Sequence, residues 1–214
     1  MNRSLNDTGT LLTYFEKTVF EQSLQPNVDR LIEATQSKIR NLEEFCEFFS
    51  STITHVSNHI GNQWEINKLS VAKEHLSTAN IESLAYNLLN QFDKKDPKNI
   101  SILVASLKDE FHSVGMRIAI EILIKLGYNV VNLGTNTPSK DILHTALELQ
   151  CEYIILSASL PTNLNSIASL VKEMKVNDFE HKMKIILAGN GFKYLKRPLH
   201  VIKAEYYLQN YTEL

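Results

Sequence analysis

The chain has 214 residues, a net charge of −2 from 22 basic and 24 acidic side chains, and 43% hydrophobic residues. That is room for one large or two small domains, and the balanced charge gives no footprint for nucleic acid or an anionic membrane. No apolar run reaches the roughly 18 residues of a membrane span, the start "MNRSLNDTGT" lacks a signal-peptide core, and Cys46 and Cys151 form no CxxC pair, so a reducing cytoplasm without thiolate–metal chemistry is expected.

In chain order, residues up to about Lys98 read as helices. "LLTYFEKTVFEQSL" sets Leu12, Phe15, Val19 and Leu24 near one face, and "PNVDRLIEATQSKI" opens on Pro26, a good first-turn residue. "NLEEFCEFFSSTITHVSNHIGNQW" carries Leu42, Phe45, Phe49, Ile53, Val56 and Ile60, and "EINKLSVAKEHLSTANIESLAYNLLNQF" closes the series. Gly61 is the only glycine between Gly9 and Gly115, so turns are few and an antiparallel helical bundle over residues 8–93 is expected. The charged, proline-bearing "DKKDPKN" reads as a linker.

From residue 98 to 214 the pattern alternates. "ISILVAS" has the composition of a buried parallel strand. It is followed by a helix from about Ser113 to Leu126, a strand "NVVNLG", a loop and a Ser139-capped helix in "TNTPSKDILHTALELQ", and a strand "YIILS". A helix "TNLNSIASLVKEMK", a strand "KIILAGNG" and a fifth strand in "EYYLQN" complete it. The fold class is α/β: a helical bundle, then a flavodoxin-like (Rossmann-type) parallel sheet.

Ligands of such sheets sit beyond the carboxyl ends of the strands. "EFHSVG", "GTNTP", "SASLPT" and "GNG" all fall there. His112 is the one strong ligand or base among them. Glu110, two residues earlier, can hold one ring nitrogen and leave the other free and more basic. Ser157 can join the same network, and Gly115, Gly189 and Gly191 remove side chains where backbone approaches a ligand. The same loops also read plainly, as a solvated histidine and a glycine turn. A nucleotide binder is poorly served, because "LKDEFHSVG" has no glycine cluster. A receiver domain is poorly served too, because the third strand ends in Ser157. In the bundle, Trp64 reads as core, Glu74-His75 as a surface pair, and His55 and His59 as a two-residue i,i+4 pair lacking a third metal ligand. His144, His181 and His200 carry no signal.

Glu-x-His-x-x-Gly after the first strand, "LSASL" after the third and "GNG" after the fourth resemble the cobalamin-binding domain of methionine synthase, corrinoid methyl carriers and light-dependent B12 regulators. That resemblance implies cobalamin as cofactor and His112 as the lower axial ligand of cobalt, with the nucleotide tail in a slot lined by the Ser and Gly positions. Glu110 stands where Asp is usual, Leu160 comes one residue late after Ser159, and Asn190 splits the glycines. "WEINKLSVAKEH" is similar to the helical cap of the CarH/LitR-type B12 photoreceptors, with Trp64 preceding Glu74-His75 at their spacing. There these residues lie over the upper face of the corrin. The histidine that follows the Trp in the best-known light-sensing mechanism is Glu65 here, and no helix-turn-helix precedes the bundle, so no direct DNA binding is expected.

The leading expectation is a cytoplasmic sensor of light or cobalamin, binding adenosylcobalamin or methylcobalamin and acting through a protein partner. The alternatives are a corrinoid carrier that serves methyltransferases and a cobalamin storage or chaperone protein. A homo-oligomer is compatible with each.

Overall fold

A computed structural model of the chain describes residues 11–177 and 183–214. Residues 8–10 of the expected bundle and His181 lie outside the described residues. The chain divides into two units between Phe92 and Asp93.

The first unit is helical: α1 (Tyr14–Ser23), α2 (Asp29–Gln36), α3 (Leu42–Phe48), α4 (Thr54–Glu65) and α5 (Val71–Leu89). Polar side chains start three of these. Thr13 and Glu16 form a capping box on α1, Asn41 Oδ1 accepts the Glu44 amide, and Ser70 Oγ accepts that of Lys73. Pro26 does not open α2, which begins at Asp29, where the Asn27 side chain accepts the amide. A π-helical segment, Phe49–Ile53, joins α3 to α4, and the Thr54 hydroxyl donates to Phe49 O at 2.9 Å. Phe45 and Phe49 stack at 4.3 Å in the core. Glu16 meets His55 and Phe20 meets His59, so α1 and α4 run the same way, as the first and third rods of an alternating bundle do. A buried polar knot ties the end of α1 to α5: the Ser23 and Ser77 hydroxyls lie 2.7 Å apart, and Asn80 Nδ2 donates to Ser23 O and Gln25 O.

The second unit alternates β1 (Ser101–Leu107), α6 (Val114–Lys125), β2 (Asn129–Thr137), α7 (Ser139–Glu148), β3 (Tyr153–Ser157), α8 (Leu164–Asn177), β4 (Lys184–Ala188), α9 (Pro198–Ile202) and β5 (Tyr206–Leu208). Ser139 is the first residue of α7 rather than its cap; Pro138 holds the cap position, with fixed φ and no side-chain bond. The strands form one parallel sheet in the order β2-β1-β3-β4-β5. Alternate residues of β1 face opposite ways. Leu103 and Ala105 belong to one cluster with residues of α7, α8 and α9, and Ile102 and Val104 to another with Met116, Ile120 and Leu123 of α6. Burial on both faces explains the unbroken apolar runs. The order reverses beside β1, whose chain leaves for β2 on one side while β3 pairs on the other, so the ends of β1 and β3 mark the switch point at which ligands of such sheets bind. Among the described residues no helix is long and apolar enough to cross a membrane.

Phe45 is fully buried. Phe45→Ala should cost about 3–5 kcal/mol of unfolding free energy, measured by urea denaturation of the purified variant.

Candidate functional site

The turn after β1 carries Glu110 into the interior and His112 out of it. Glu110 is 2% exposed and the His112 side chain 60% exposed. Glu110 Oε1 lies 2.6 Å from His112 Nδ1 and accepts the His112 amide at 3.0 Å, while Oε2 accepts the Ser159 amide at 2.8 Å. Burial pushes the Glu110 carboxyl up, but the Ser159 amide, the His112 ring and the His112 amide outweigh it, so its pKa lies below the usual 4.5. The carboxylate is therefore an acceptor only and Nδ1 of His112 donates to it, which leaves Nε2 as the ring nitrogen outside this contact. An imidazole held this way is a ready metal ligand.

Ser159 enters the network through its backbone, and the Ser157 hydroxyl supplies none of these Glu110 contacts. A backbone donor is invisible in a residue pattern, whereas the hydroxyl of Ser157 is not. Gly189 sits at φ +102°, and a Cβ there would fall on the Ala158 carbonyl oxygen. A Cβ on Gly191 would lie 2.7 Å from Leu160 O. Both glycines are thus required by close packing of "GNG" against the backbone of "SASL". Gly115 differs: its φ is ordinary, and a Cβ would meet only Tyr211 Oη at 3.4 Å. The fold itself does not demand glycine at 115, which leaves room there for something else. Phe111, 68% exposed beside His112, and Leu160, 48% exposed, add apolar surface. Phe111 is the unspecified residue of Glu-x-His, so the pattern carries no signal for it.

A shallow groove of about 220 Å³ opens on the α6 face of the sheet, lined by Ile102, Tyr128, Tyr153, Ile186 and Tyr206 among others. It lies toward the starts of the strands, and none of the expected site residues lines it.

In the bundle unit, Trp64 lies in the last turn of α4 at 48% exposure, with Ile66 after the helix and Val71 at the start of α5 also exposed. Trp64 is therefore not core. Glu74 accepts the Thr78 hydroxyl at 2.9 Å and lies 3.5 Å from His75 Nε2; the His75 side chain is 74% exposed. His55 Nδ1 is 2.7 Å from Glu16 Oε1, and His59 meets the Phe20 ring edge-on. No group of three potential ligands among the described residues could hold a metal ion. Both cysteines are buried, and burial, with help from Glu43, pushes the Cys46 thiol up to about 11.

Residues 100–208, just over half of the chain, match the family model described as B12 binding domain. Dimethylamine corrinoid protein 2 of Methanosarcina acetivorans is 22% identical over 164 residues, which are 75% of each chain. The Methanosarcina barkeri monomethylamine corrinoid protein superposes with a TM-score of 0.75 at 14% identity, covering 93% of this chain and 92% of its own. A novel cobalamin-binding protein from Desulfitobacterium hafniense gives a TM-score of 0.50 at 16% identity, covering 94% and 95%.

Two outcomes follow from this geometry. Gly115→Ala should leave the melting temperature of the unliganded protein within a degree or so, while Gly189→Ala should lower it by several degrees. A carboxyl with a depressed folded pKa contributes stability that is present above its unfolded value and lost as pH falls through the folded one. Wild type should therefore melt above Glu110→Gln near neutral pH, and the gap should close as pH falls below about 4.5, followed by thermal melts across that range.

Proposed function

The chain belongs to the B12-binding domain family, and from that premise we propose that it is a corrinoid methyl carrier, loaded with methylcobalamin and served by methyltransferases. The observation that supports this most is the 164-residue likeness to a corrinoid protein named for dimethylamine, a span longer than the sheet unit itself. The sensor expectation finds no comparable support: the named relatives above include two corrinoid proteins of methylamines and no photoreceptor, and Glu65 follows Trp64.

The residues present fit the cofactor. His112 would hold the cofactor's cobalt through Nε2, since its side chain is exposed and its Nδ1 is engaged by Glu110. Bound cobalamin supplies a metal that accepts a methyl group from one partner and yields it to another. In this reading Glu110 orients the imidazole, Gly115 leaves space beside it, and Ser157, Ser159, Leu160, Gly189 and Gly191 line the place of the nucleotide tail. Trp64, Glu74 and His75 are assigned to the upper ligand on their sequence pattern and their exposure.

Purified wild type mixed with methylcobalamin in the dark should retain it through gel filtration. Glu110→Gln should retain it roughly 10–100-fold less tightly, and His112→Ala less still. With a methylamine-type methyltransferase pair and a thiol acceptor, the loaded protein should yield the methylated thiol, read by mass spectrometry. Failure to pass the methyl group, together with a change of assembly state under green light, would contradict the carrier reading and restore the sensor.

A further inference from the structure

The stretch "GTNTP", expected as a loop, is the end of β2 and the residue after it; it has no role in the site described above, yet its backbone is irregular. Opposite β1, β2 takes an extra residue twice: Val104 pairs with Asn132, Ala105 with Gly134, and Leu107 with Thr137. Such bulges bend a strand end and re-aim its side chains, and they gather beside functional sites. Gly134 sits at φ +72° and Asn136 at φ +56°; across from them Asp109 sits at φ +70°. The left-handed region is uncommon for residues other than glycine and is borne best by Asn and Asp.

Two hydrogen bonds join these strained points. Asn136 Oδ1 accepts the Asp109 amide at 2.9 Å, and the Asn136 amide donates to Glu110 O at 3.0 Å. The backbone is thereby held at both ends of the Asp109–Glu110 pair. That pair carries the buried carboxylate, and the carboxylate holds His112. Only a short side chain with a terminal oxygen, on a residue that tolerates positive φ, makes both contacts.

We propose that Asn136 is a positioning residue for the cobalt ligand: it hangs the His112 loop from the bulged end of β2 and sets the angle at which Nε2 is presented. The proposal rests on the reading of His112 as the axial ligand. The Asn136 hydrogen bonds go to the backbone of Asp109 and Glu110, so its effect on His112 passes through that pair.

The test uses full-length protein labelled with ¹⁵N-histidine, loaded with cobalamin and reduced to the paramagnetic Co(II) form. Its EPR spectrum shows a doublet splitting from a labelled imidazole and a triplet from the cofactor's own ¹⁴N base. Wild type should show the doublet. Asn136→Gly keeps the backbone freedom and loses the acceptor; it should hold cobalamin about fivefold less tightly, the effect of one hydrogen bond, with part of the doublet lost. Asn136→Asp restores an acceptor and should restore both readouts. Asn129→Ala, which removes a bond to Ser101 at the other end of β2, should leave both unchanged and controls for general loosening of the strand. A wild-type doublet with Asn136→Gly unchanged, or with Asn136→Asp impaired as much as the Gly variant, overturns this proposal alone. Absence of the doublet from wild type overturns the His112 reading and this proposal with it. If the Gly variant does not fold, Asn136→Ala, which also lacks the acceptor, takes its place in the comparison with Asn136→Asp.

Discussion

The candidate site depends on one buried carboxylate. Glu110 is almost without solvent, and a charge in that position is costly unless hydrogen bonds replace water. The His112 ring, the His112 amide and the Ser159 amide replace it. Each of those bonds also does positional service: two fold the loop back on itself, and the third staples it to the loop after β3. The ionised state and the geometry support each other. The three donors favour the ionised form of Glu110, and the ionised form strengthens its hold on the three donors. One side chain thus fixes the tautomer of the imidazole, its direction and the spacing of two loops.

The sheet makes that arrangement available. Parallel strands deliver every loop that follows a strand to the same edge, and the reversal of order between β1 and β3 opens that edge where Glu110 and Ser159 meet. The glycines of "GNG" let the loop after β4 close against the loop after β3, with Gly191 bonded through its amide to Ala158 O at 2.9 Å. The β3 loop is therefore held from two sides, by a carboxylate on one and by backbone contact on the other. The bundle brings a different resource, an end where Trp64, Ile66 and Val71 remain exposed. Exposure of large apolar groups at a helix turn costs solvation free energy unless they meet a ligand or partner.

Much of this was legible because it is written in side chains. Apolar runs gave the strands of the sheet, and Glu-x-His gave the contact between Glu110 and His112, because two residues in a tight turn can reach no other way. Features carried by backbone were not legible. The Ser159 amide has no letter, and the π-helical segment at Phe49–Ile53 leaves the apolar spacing of a helix nearly intact. Short elements such as α9, in "PLHVI", are too brief for periodicity to mark. Ser139 and Pro26 misled in the same manner: each has a residue type that starts helices, but the local φ/ψ placed the start one to three positions away. The glycines were seen but their reason was not, since a missing Cβ serves a ligand and a neighbouring backbone alike.

The central claim is that His112, held by Glu110, binds cobalt from below. A crystal structure of the protein loaded with methylcobalamin tests it most directly. The account predicts Nε2 of His112 bonded to cobalt, the cofactor's own base displaced from the metal, and Glu110 still bonded to Nδ1 and to the Ser159 amide. The cofactor's base found on cobalt, with His112 turned away from the metal, would contradict it.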